Sequence, residues 1–103
     1  MNVYRQGDVL IEALNGPLPK GAEKVKPDNG RVILAYGEVT GHAHAISSKL
    51  ATMYRWKGDE LIEVKEGAVV THEEHGAIAL VPGVYRVRHQ GEYTPAEIVR
   101  VRD

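Results

Sequence analysis

Four of the five histidines fall in two short stretches. His42 and His44 lie in GEVTGHAHAI (37–46), and His72 and His75 lie in THEEHG (71–76). Neutral imidazole carries one lone pair and is the commonest side-chain ligand for transition metals. On a strand, residues two apart point the same way, so His42 and His44 share a face several ångströms apart. Ala43 and Ala45 give the other face little bulk. Two imidazoles in that relation can share one ion. His72 and His75 are three apart, with Glu73 and Glu74 between them. That spacing suits a tight turn with both rings aimed inward. Three roles are open to Glu73 or Glu74: ligand, acceptor that orients a ring, or general base. If the two stretches occupy neighbouring strands, three or four nitrogens and an oxygen converge. Such a set accepts one divalent transition metal, Zn, Fe, Mn, Ni or Cu, and donor type alone does not choose among them. The condition is proximity: the His44 and His72 rings must come within about 5 Å, roughly twice a metal–nitrogen bond.

A second reading stands beside this one. The histidines are then structural or surface residues of a non-enzymatic, homo-oligomeric interaction module. HEEH is one residue shorter than the HExxH motif of helical zinc proteases, and no helical apolar period surrounds it. No complete catalytic set or substrate-recognition pattern is visible, so the expectation leans away from an enzyme. His89 shares a face with Tyr85 and Val87 and is expected in the core or at its rim, not as a fifth ligand.

The elements that must hold these residues read as strands. Val3 to Arg5 and Val9 to Leu14 flank a break at Gly7 and Asp8. Within VLIEAL, Val9, Ile11 and Ala13 fall on one face. The segment from Asn15 to Gly30 contains Pro17, Pro19, Pro27 and two Asn-Gly pairs, and reads as one long loop. Arg31 to Tyr36, nearly all apolar, reads as a strand buried on both faces. Gly41 to Ser48 is the next strand. Leu50 to Trp56 and Glu60 to Lys65 form a hairpin around Lys57, Gly58 and Asp59. Ala68 to Thr71, Ala77 to Val81, Val84 to His89 and Glu97 to Arg102 follow, with a turn at Pro82 and Gly83. Helix is confined to about one turn, at Pro95 to Glu97 or within HEEH. Short strands separated by frequent turns define an all-β fold, a small β-barrel or β-sandwich with one long N-terminal loop.

Composition narrows the function classes. A chain of 103 residues has room for one domain, 1–103. Phe is absent and Trp56 is the only tryptophan, so the core must come from Val, Ile, Leu and Tyr. The formal net charge of −1, from 13 basic and 14 acidic side chains, gives no global attraction to nucleic acid or to an anionic membrane. Arg86, Arg88, Arg100 and Arg102 can share one surface, but Glu92, Glu97 and Asp103 lie near them in sequence, and a salt-bridged solvent face is the expectation. Tyr36, Tyr54, Trp56, Tyr85 and Tyr93 track no basic groove, so a base-stacking platform is not expected. No cysteine is present, which excludes disulfides and thiolate metal sites. The start, MNVYRQGDVL, lacks a charged head followed by a long apolar run. No signal peptide and no membrane span are therefore expected, and the expected location is cytoplasmic.

Three resemblances attach to these motifs. GEVTGHAH (37–44), HEEH (72–75) and PGVYRVRHQGEYTP (82–95) resemble a family of small uncharacterised proteins of bacteria and their phages. That likeness spans most of the chain and implies no assigned activity. His42-Ala43-His44 is similar to the HxH of the first cupin motif, and Gly76 followed by Pro82-Gly83 partly resembles the second. A cupin likeness implies a metal-bearing β-barrel, and any enzyme would then be metal-dependent. The residues after His44, Ala45 to Lys49, include no Glu, so only His42 and His44 carry over as ligands. GDVLIEAL, the long loop, GRVILAYGE and VKEGAVV resemble the order of elements in the small co-chaperonin barrel, which implies a small β-barrel with no place for the histidines.

Overall fold

A computed structural model describes residues 3–37, 39 and 41–90. The expected strand at Glu97 to Arg102 and the helical turn at Pro95 to Glu97 lie outside the described residues. Ten strands follow in order: β1 Val3–Gln6, β2 Val9–Ala13, β3 Glu23–Val25, β4 Arg31–Tyr36, β5 Ala43–Ser47, β6 Ala51–Trp56, β7 Asp59–Val64, β8 Val69–His72, β9 His75–Ala79 and β10 Gly83–His89. Two antiparallel sheets result. One has the order β1-β2-β10-β7-β6-β3 and the other β4-β5-β8-β9. They do not close into a barrel, so the sandwich-like alternative describes the molecule.

Period-two patterning explains the packing. Val9 and Ile11 of β2, Met53 of β6, Ile62 and Val64 of β7, and Tyr85 and Val87 of β10 are buried from one sheet. Val32 and Leu34 of β4, Ile46 of β5 and Val70 of β8 meet them from the other. Burying each such side chain contributes about 1.5–3 kcal/mol relative to exposure. The solvent-facing positions of β10 carry Arg86 and Arg88. Arg86 donates two hydrogen bonds to Glu12 Oε1, at 2.8 and 3.2 Å, and lies 3.7 Å from Asp59. Arg88 lies 4.0 Å from the same Glu12 oxygen. For these two arginines the salt-bridged face is what the chain builds; Arg100, Arg102, Glu92, Glu97, Asp103 and Tyr93 lie outside the described residues.

Three local readings change. The long loop contains β3, which pairs with β6 through Glu23, Lys24 and Val25. This edge strand is charged and mostly exposed, so it shows no apolar alternation. The strand RVILAY buries only Val32 and Leu34 fully, while Arg31, Ile33 and Ala35 are half-buried and Tyr36 is exposed. The strand buried on both faces is β5, where Ala43, His44, Ala45 and Ile46 are all inside. Finally, the β6–β7 loop has two residues, since Trp56 already pairs with Asp59. Lys57 and Gly58 have φ of 49° and 82°. A two-residue hairpin loop needs that left-handed pair to match strand twist, and lysine is an unusual residue to supply it.

Both ends of the second sheet's inner face matter for function. Along β5, His44 is in phase with the core residue Ile46. Along β8, His72 is in phase with Val70. The two histidines therefore continue the core outward from its apolar centre.

Candidate metal centre

His72 ends β8 and His75 begins β9, and the two pair directly across a turn made of Glu73 and Glu74. Neither glutamate has a positive φ. A register shift between Val70 and His72 accompanies this untwisted turn. Next to β8 lies β5, joined where Ala45 pairs with Thr71. This adjacency brings three rings together. Centroid separations are 4.3 Å for His44 and His72, 4.6 Å for His72 and His75, and 5.7 Å for His44 and His75. One nitrogen from each ring lies within 4.8 Å of the others. His42 stands just before β5 and outside this trio, with its ring 6.0 Å from that of His72.

The orientation of His44 is set by Gln6, at the end of β1 in the opposite sheet. Gln6 is 2% exposed and His44 is 4% exposed. The Gln6 amide nitrogen donates to the Val70 carbonyl at 3.2 Å and to the Gly76 carbonyl at 2.8 Å. Both amide hydrogens are thereby used, so Gln6 Oε1 faces His44 Nδ1, 2.8 Å away, as an acceptor. His44 Nδ1 must then carry the ring proton. Its Nε2 is left with the lone pair, the state a metal ligand requires.

His72 is set differently. The Glu74 backbone N–H donates to His72 Nδ1 at 3.0 Å. That bond leaves the neutral ring protonated on Nε2. A cation on either nitrogen of His72 therefore displaces the bond: Nδ1 already accepts a proton donor, and ligation through Nε2 moves the ring proton to Nδ1. Occupancy of the trio would therefore be coupled to the Glu73-Glu74 turn.

The two glutamates have separate jobs. Glu73 Oε1 accepts from the Ala43 N–H at 3.0 Å, tying the turn to the start of β5. Its own backbone N–H and that of Ala43 hold its carboxyl below the usual carboxylate range. Glu74 Oε2 lies 2.9 Å from His42 Nδ1. Of the three roles open to the glutamates, Glu74 occupies that of orienting acceptor, and it does so for His42.

Two glycines give the rings room. Gly7, in the β1–β2 turn, has φ +61°, and a Cβ there would come 2.9 Å from His75 Nε2 and 3.4 Å from His44 Cε1. A Cβ on Gly37 would meet His42 Cβ at 3.1 Å and His72 Nε2 at 3.3 Å. In front of the rings lies a pocket of about 310 Å³, whose other walls include Asp8, Tyr36, Val39 and Glu74. His89 is elsewhere: its Nε2 sits 2.9 Å from the Leu34 carbonyl oxygen and 3.8 Å from Glu60.

Sequence reasoning missed Gln6, Gly7 and Asp8, having ended the first strand at Arg5 and treated Gly7 and Asp8 as a break. One signal was available. Gln6 is two residues from Tyr4, in the core-facing phase, and a polar residue there needs a buried partner.

The matching family is described as a domain of unknown function (DUF8820). The chain belongs to this family. The match covers residues 5–90, which include Gln6, Gly7 and all four clustered histidines. No curated protein and no solved structure matches the chain. Neither the cupin nor the co-chaperonin likeness gains support from these comparisons.

Burial holds the His44 pKa below its ordinary 6.5, and the neighbouring His72 and His75 push the same way, with a smaller downward contribution from His89, while Asp8 opposes them. Stability from this group is then fully present above the unfolded value. It declines as pH falls through about 6.5, because the unfolded chain takes up a proton that the folded chain refuses. Thermal melts of metal-free protein between pH 7.5 and 5.5 are expected to show the melting temperature dropping with pH. The drop should be shallower in His44→Gln. An identical slope in the two proteins would contradict the assignment.

Proposed function

We propose that this chain is a metal-binding β protein holding one divalent transition ion between His44, His72 and His75. The observation that carries the reading is the convergence of three ring nitrogens from three strands, with the buried one preset by Gln6. Tetrahedral binding at about 2.0–2.1 Å per nitrogen needs nitrogens roughly 3.3 Å apart. The trio spans up to 4.8 Å, so two rings rotate inward on loading. His75 is exposed and His72 is half-buried, and these are the rings with freedom to do so. The donor set accepts Zn, Fe, Mn, Ni or Cu. His42, expected as a fourth ligand, has in this reading a supporting place on Glu74. Location in the cytoplasm of a bacterial or phage-infected cell belongs to the same proposal, from the likeness to small bacterial and phage proteins.

The oligomeric reading keeps one observation in its favour. Among the described residues strand β9 is a sheet edge, and beyond His75 it has no charged or proline residue to block pairing with a second copy. Sedimentation giving a monomer mass at high concentration would remove it.

Titration calorimetry and metal analysis test the main proposal. Wild-type protein is expected to bind one zinc per chain and to gain about 2.7 kcal/mol of stability at a free metal concentration 100 times its Kd. Gln6→Leu should weaken binding by roughly 10–100-fold, since it removes the partner that orients His44. His44→Ala with His72→Ala should abolish it. A wild-type protein that neither binds nor is thermally stabilised by Zn, Ni, Mn or Fe would overturn the proposal.

A further inference from the structure

We infer that the ion held by the trio activates water to hydrolyse a small uncharged ester, with His42 accepting the proton of the attacking water. This rests on the metal-binding reading and adds to it a reaction, a substrate class and a catalytic residue.

Three neutral imidazoles leave the full charge of a divalent ion uncompensated. They also leave at least one coordination position free for water, which that charge acidifies. The free side faces the pocket of about 310 Å³. His42 lines the same pocket, and its ring stands 6.0 Å from His72 and nearly perpendicular to it. Glu74 occupies His42 Nδ1 as an acceptor, so Nδ1 carries the proton and Nε2 carries the lone pair. An imidazole whose Nδ1–H is held by a carboxylate is oriented to accept a proton at Nε2. His42 therefore lines the same pocket as the trio, with its lone pair on Nε2 and outside the three rings that would hold the ion.

The walls choose the substrate. Asp8 and Glu74 contribute negative charge, and among the described residues no lysine or arginine lines the pocket. Beyond the ion itself, phosphate esters and other anions find no cationic side chain among the described residues there and meet two carboxylates. Neutral carbonyl compounds meet no such penalty. The volume lies at the small end for ligand sites, so the acyl part must be short. Tyr36 and Val39, 66% and 52% exposed, form an apolar lip suited to the alcohol half.

In the reaction the water oxygen bonds to the ester carbonyl carbon, and one water proton passes to His42 Nε2. An ion held by His44, His72 and His75 would supply the positive charge that stabilises the carbonyl oxygen as it becomes anionic. Collapse of the tetrahedral species breaks the bond from the carbonyl carbon to the alkoxy oxygen. The leaving oxygen takes the proton back from His42. One water is consumed, a carboxylic acid and an alcohol are formed, and no electrons are exchanged.

Zinc-loaded full-length protein, with bound zinc measured in each sample, tests this against 4-nitrophenyl acetate and 4-nitrophenyl phosphate. The wild type is expected to cleave the acetate at least about tenfold faster than metal-free protein mixed with equal free zinc, and not to cleave the phosphate. His42→Phe should retain one zinc and lose roughly 100-fold in kcat. His42→Gln serves the same purpose if the phenylalanine variant does not fold. Wild type carrying one zinc per chain but no faster than free zinc overturns the hydrolytic inference and leaves the binding reading standing. Full activity in a zinc-loaded His42 variant overturns the role of His42, and cleavage of the phosphate overturns the substrate class. Failure of the wild type to bind zinc removes both readings.

Discussion

Three hydrogen bonds from the side chain of Gln6 join the two sheets and decide the chemistry of the histidines between them. Its amide nitrogen spans the carbonyls of Val70 and Gly76, on β8 and β9, and its oxygen takes the proton of His44 on β5. Gln6 itself belongs to β1, the edge of the other sheet. A typical net hydrogen bond contributes only about 1 kcal/mol, whereas a buried polar group left without its partner costs about 1–3 kcal/mol. The asymmetry makes the arrangement hard to distort. Among the described residues, no buried side-chain nitrogen or oxygen lacks a partner, so the polar end of the core is satisfied as completely as its apolar centre is packed.

Around that anchor the site grades from rigid to adjustable. His44 is inside the protein, neutral by burial and locked in one tautomer. His72 is held by a single local bond from the Glu74 backbone, and His75 is exposed on an edge strand beneath Gly7. In the proposed metal binding, one buried donor and two more exposed ones would let an ion enter from solvent. The same turn that yields when His72 moves carries Glu73 to Ala43 and Glu74 to His42. His72 and the placement of His42 are thus linked through six residues, 71–76.

How much of this was visible in the chain depends on the range of each interaction. Alternation in VLIEAL and in Val84 to His89 exposed the core faces, because period-two burial is local. The HEEH spacing likewise exposed a tight turn. Strand β3 was hidden because its stability comes from backbone pairing to β6, which leaves no apolar mark on Glu23 and Lys24. The one-sided burial of RVILAY was hidden because what covers a strand's second face is set by tertiary packing, not by the strand's own residues. The convergence of His44, His72 and His75 needed β5 beside β8, and no local pattern fixes strand order. The partition of His42 from the trio was likewise invisible: its two-residue spacing from His44 is correct for a shared face, but Glu74 claims its ring. Gln6 acts across 38 residues to His44 and 70 to Gly76, the longest reach in the site.

Gln6 fixes His44 in the tautomer with Nε2 unprotonated, the state that ligation requires. Long-range nitrogen–proton correlation spectra of the histidine rings, recorded on metal-free protein at neutral pH, report each tautomer directly. His44 is expected as the Nδ1–H tautomer without metal, and the same tautomer with Nε2 shifted by coordination after one equivalent of zinc. A metal-free His44 carrying its proton on Nε2, or spectra of His44, His72 and His75 untouched by zinc, would contradict the account.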